Sequence, residues 1–385
     1  MSNSDDLRRR AISWFAVAVL GVTSSCASGA TSASPSPAPG QSPSTGTTSA
    51  QPGATPQGQG TWPVRTREHV DLWLHSYALL SPDSALVPYF ERGYRTRMLA
   101  LRRQRGISSQ LDANRALLLE RINVQPSIGT GPQFLPFYFA SWEQMRQAID
   151  LFIRANGDPR ATNDQNLQTY FAILASSFQS APDREWLRMF AASVQDEREK
   201  FYLEHWTAET RTRTGVVARV DSLWQRAWRP ALQRFLNNTQ QQNGEVYLSL
   251  PLDGEGRTVH FGKLQNAVGI GMPDDMQGAE SVLYGFAHEI AGQVASTAID
   301  DNTTPADRRA GASARYEQSA AVRAGALLLE RTIPSAVSGY MRYYLQAAGR
   351  PAPADPRSAF TAFFSVPTAV SDAIARQLEV ILGGI

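Results

Sequence analysis

The chain has 385 residues, 42% of them hydrophobic, enough for one large domain or two small ones with a real core. A formal charge of +2, carried almost wholly by arginine (Lys200 and Lys263 are the only lysines), gives no electrostatic case for a nucleic-acid partner. Cys26 is the only cysteine, so no disulfide framework holds the folded part together.

Residues 1–26 read as an export signal. Arg8, Arg9 and Arg10 form a basic start, and Ala11 to Val22 is an apolar run too short to span a bilayer comfortably. Small residues Thr23, Ser24 and Ser25 then precede Cys26, an order that resembles a bacterial lipobox, although Thr23 stands where leucine is usual. A lipid on Cys26 would make the membrane a partner and the cell envelope the destination. Without that lipid, the same stretch is an ordinary cleaved signal.

Residues 27–61 are Ser, Thr, Pro, Gly, Ala and Gln with almost nothing to bury, which predicts a disordered tether. As a coil of ~34 residues it would span about 30 Å.

The folded body is expected to start near Trp62, with a helical region over residues 62–238 and a second region over 239–385. Thr66 to Leu80 has helical apolar spacing until Ser81-Pro82-Asp83 breaks it. His69 and His75 lie on it six residues apart, on different faces, and read as packing or surface residues. Helical patterns continue at Ala113 to Ile122, Trp142 to Ala155, Leu167 to Phe178 and Arg184 to Trp206. Within the last, Asp196-Glu197-Arg198-Glu199-Lys200 reads as a solvated charged face, and His205 as packing.

The period changes after Asn238. Val246, Leu248 and Leu250 alternate with Glu245, Tyr247 and Ser249, the pattern of a half-buried strand. Arg257 to Phe261 and Asn266 to Ile270 are expected as two further strands. Ala279 to Ala298 follows as a largely buried helix with Val282, Leu283, Phe286, Ile290 and Val294 at helical spacing and His288-Glu289 in its middle. Thr304-Pro305-Ala306-Asp307 resembles a capping box opening a helix that runs to about Arg331 and carries Glu317.

A small sheet, a helix bearing His-Glu and a second helix bearing glutamate resemble the gluzincin group of zinc metallopeptidases, over about Gly244 to Arg331. The resemblance implies a mainly α chain with a small β-sheet (α+β, zincin-like). It implies His288 and Glu317 as metal ligands, Glu289 as general base, and a tyrosine among Tyr340, Tyr343 and Tyr344 at the oxyanion. An edge strand would pair with a peptide substrate.

The departure is Gly292, which stands where the motif has its second histidine. His288 and Glu317 supply two ligands where a catalytic zinc takes three, with His260 a remote third, so any zinc is expected to bind loosely. Three readings follow. The chain is a degenerate peptidase-like protein that binds peptide or protein without cleavage, an active metallopeptidase with an unusual ligand set, or a non-enzymatic helical envelope scaffold.

Overall fold

A computed structural model describes residues 62–81, 90–254, 256–261, 265–309 and 311–383. The export signal, Cys26 and the tether lie outside these residues. The described chain is mainly helical with one four-stranded sheet. No helix among the described residues is long and apolar enough to cross a membrane.

Three of the strands fall where the alternation predicts: β2 (Glu245–Ser249), β3 (Arg257–Phe261) and β4 (Gln265–Gly271). The fourth, β1 (Val64–Arg65), is only two residues long and is contributed from far away in sequence. The order is β1-β2-β4-β3, with β1, β2 and β4 parallel and β3 antiparallel on the outside. Two residues carry no readable period, so tertiary pairing alone makes β1 a strand.

The sheet lies between two helical layers, each with its own apolar core. Val246, Leu248, Val268 and Ile270 face one core, and Tyr247, Val259 and Ala267 face the other. The expectation of a half-buried β2 is therefore corrected: Tyr247 and Ser249 are 4% and 1% exposed. Parallel strands flanked by helices are covered on both faces. Alternation of Tyr and Ser with aliphatics does not distinguish that case from a solvated face.

The first layer is built from α1 (Glu68–Leu80), α2 (Tyr94–Gln104), α3 (Gln110–Val124), α4 (Trp142–Arg154), α5 (Gln165–Ser177), α6 (Ala181–Glu197) and α7 (Leu203–Thr212). In α4 the Ser141 hydroxyl accepts from Gln144 N at 3.2 Å and caps the first turn. Trp142, Met145, Ile149 and Phe152 then line one buried face at i, i+3, i+7 and i+10.

The second layer holds α8 (Thr214–Leu223), α9 (Arg229–Asn238), α10 (Ala279–Asp301), α11 (Ala312–Thr332), α12 (Val337–Ala347), α13 (Arg357–Phe363) and α14 (Thr368–Gly383). A boundary at residue 238 is not how the cores divide. Val216, Val220, Trp224 and Phe235 belong to the same core as α10, and so does Trp62. Trp62 packs edge-on against Phe286 at 5.1 Å, and its Nε1 donates to Gln241 O at 2.9 Å. A Cβ at residue 244 would stand 2.5 Å from the Trp62 ring, so that position must be glycine for the ring to seat.

Candidate functional site

Val282, Leu283, Phe286, Ile290 and Val294 turn α10 into the core as their spacing predicts, all 4% exposed or less. That fixes the azimuth of His288 and Glu289, whose side chains are 12% and 13% exposed. Glu289 Oε2 accepts from Thr258 Oγ1 of β3 at 3.0 Å, which fastens the carboxylate beneath the outer strand. His288 Nδ1 lies 3.5 Å from Glu289 Oε1. The imidazole meets the Tyr344 ring of α12 at 5.4 Å.

Of the three tyrosines open in the sequence, geometry separates their positions. Tyr344 stands beside His288. The Tyr340 hydroxyl is committed to Val322 O at 3.0 Å. Tyr343 lies over Gly254, where a Cβ would meet its hydroxyl at 1.8 Å.

Glu317 is not brought level with His288. The helices α10 and α11 run antiparallel: the charge of Asp300 acts on Glu317 at one end, while Tyr340, in contact with Tyr284, bonds Val322 further along. At 1.5 Å per residue, Glu317 lies at least roughly 8 Å short of the level of His288, and Asp300 is about 18 Å beyond it. Burial, and then Asp300, raise the Glu317 pKa, the mark of a half-buried carboxylate without a cation at hand. Among the described residues, no group of three or more His, Cys, Asp or Glu could hold a metal. Zinc needs three protein ligands near 2 Å, and these residues do not fit it, so no metal-dependent step is derived. His260 pairs with Asn266 through the backbone of β3, and its side chain lies outside the described residues. At Gly292 a Cβ would meet nothing within 4 Å.

Sequence reasoning missed a second polar constellation. Helix α1 buries His69, Asp71 and His75 together with Leu72, Trp73 and Leu74, so it is enclosed on every side. The signal was present: this helix is apolar nearly all round, and polar residues on such a helix are buried with it.

His75 Nε2 lies 3.1 Å from Glu197 Oε1, and its Nδ1 lies 3.0 Å from Tyr94 Oη. Glu197 Oε2 also accepts from Ser109 Oγ at 2.6 Å and pairs with Arg102 at 3.1 Å, and Arg102 in turn binds Asp112. Burial lowers the His75 pKa and leaves the ring neutral. For Glu197, burial acts upward, but its hydrogen bonds and the charge of Arg102 outweigh it and hold the carboxyl ionised. A neutral His75 then donates Nε2–H to Glu197 and accepts from Tyr94.

The reading of residues 196–200 as a solvated face is thus corrected for Glu197, which has no exposed surface. A π-helical turn over Arg198–Tyr202 rotates the helix after Glu197 and places Tyr202 on His75 at 4.2 Å. Charge-run composition contains no trace of that rotation.

No protein-family model, curated protein or solved structure matches the chain.

Proposed function

We propose that this chain is an exported cell-envelope protein, held at a membrane by lipid on Cys26, whose zincin-like C-terminal half binds extended peptide along β3 without cleaving it. The supporting observation is the placement of His288-Glu289. The pair is fastened by Thr258 to an antiparallel outer strand and has a tyrosine at its side, yet only one imidazole stands at ligand spacing. An outer strand offers unpaired backbone groups to an incoming peptide, and that binding needs no metal. The order of sheet, His-Glu helix and second packed helix supports the peptidase-like reading of the architecture.

Hydrogen exchange of the purified protein with and without an unstructured peptide tests this. Slowed exchange confined to residues 257–261, with the peptide recovered intact, is the expected outcome. Stoichiometric zinc together with peptide hydrolysis would establish the active-enzyme reading instead. No protection of β3 by any peptide would leave the scaffold.

A further inference from the structure

Beyond the carboxyl ends of the parallel strands β2 and β4 lies a cleft of about 840 Å³. Sheets flanked by helices commonly hold ligands at that end of their strands, and this volume is within the range of small-molecule sites. Its apolar surface comes from Tyr94, Met98, Leu250, Leu252 and Met272.

His205 of α7 lines the cleft although the residue is only 7% exposed. Phe201 stacks on its ring at 5.3 Å and 10°, which fixes the plane of the imidazole. Neither ring nitrogen has a hydrogen-bond partner among the described residues. Leaving a buried polar group unsatisfied costs about 1–3 kcal/mol, so such a ring is suited to a partner that arrives with a ligand. Burial lowers its pKa to about 4, so at neutral pH the ring offers one N–H and one lone pair.

The charges of the cleft are unequal. Arg97 pairs with Glu91 at 2.5 Å, and Arg213 pairs with Asp274 at 2.9 Å and also with Glu209. Asp253 has no cationic partner among the described residues, and its Oδ1 accepts only from Gly254 N at 2.8 Å. Two arginines against four carboxylates leave a formal charge of −2.

We infer that this cleft binds a small organic cation with an apolar body, with Asp253 as counter-charge and the His205 imidazole bonding a polar atom of that body. The site is at the strand ends and not along the β3 edge, so it stands without the peptide reading.

Calorimetric titration of the full chain with three probes that share one ring system tests it: tryptamine (cationic), tryptophol (neutral) and indole-3-propionate (anionic). Tryptamine should bind at least about tenfold more tightly than tryptophol, a difference of roughly 1.4 kcal/mol, and the anion weakest. Asp253→Asn should bring tryptamine down to the affinity of tryptophol and leave tryptophol unchanged. His205→Phe, which keeps the stack on Phe201, should weaken tryptamine and tryptophol alike, and His205→Gln should restore part of the loss. Thermal melting of each variant separates lost binding from lost folding. Equal affinity for all three probes, no tryptamine binding by the folded chain, or indifference to Asp253→Asn would each overturn the inference.

Discussion

Asp71 should make the stability of this protein fall as pH rises from 4 to 7, against the trend its buried histidines impose. The side chain is 1% exposed, and Oδ2 accepts from Trp206 Nε1 at 2.9 Å and Leu250 N at 3.3 Å. Burial pushes its pKa from 3.8 up to about 7, with those hydrogen bonds offsetting only part of the shift. At about 1.4 kcal/mol per unit, a gap of about three units amounts to on the order of 4 kcal/mol. Below pH 4 both folded and unfolded chains hold the proton, and the stability is whole. Between pH 4 and 7 the unfolded carboxyl ionises first, the folded state binds more protons, and stability is lost as pH rises through that window.

His69 and His205, with pKa values lowered to about 4, act oppositely, because their unfolded forms take up protons as pH falls below 6.5. The measurement must therefore be a difference. Asp71→Asn keeps an acceptor for Trp206 and Leu250, places an amide where the acid proton sits, and does not titrate. Urea unfolding followed by tryptophan fluorescence, at steps from pH 4 to pH 8, gives the stability of both proteins. The variant minus wild type should rise by up to about 4 kcal/mol across the range and level off above pH 7. A difference independent of pH, or one that falls, would refute a protonated Asp71 in the folded state.

Glu197→Ala leaves Arg102 buried without its carboxylate, so chemical denaturation should show a loss of about 3–5 kcal/mol. Gly292→His has room, since a Cβ there meets nothing within 4 Å, and puts a second imidazole on the His288 face. If the half is a decayed zincin, the melting temperature of this variant should rise with zinc where wild type does not respond; a folded variant indifferent to zinc would make the His-Glu pair a coincidence. Cys26→Ala should move the protein from the membrane fraction to a soluble exported one, and a wild type that is already soluble after export would remove the lipid anchor from the proposal.

Local pattern determined much of this protein. The 3.6-residue spacing through Val282, Leu283, Phe286 and Ile290 forces one face of α10 inward and sets where His288 and Glu289 can point, because side-chain direction on a helix follows from position alone. The alternation after Gly244 likewise fixed three of four strands. What tertiary structure decided were the relations that span long separations. Val64 and Arg65 became a strand only because Val246 and Tyr247 were there to pair with them. Glu197 reads as one charge among five in sequence; it is buried because His75, Arg102 and Ser109, some 90 to 120 residues away, converge on it. Glu317 has the right separation from Glu289 for a ligand, yet spacing along the chain does not set where two antiparallel helices stand level. That depends on how long α10 runs before it turns, and its end at Asp301 carries Glu317 past the histidine it was expected to meet.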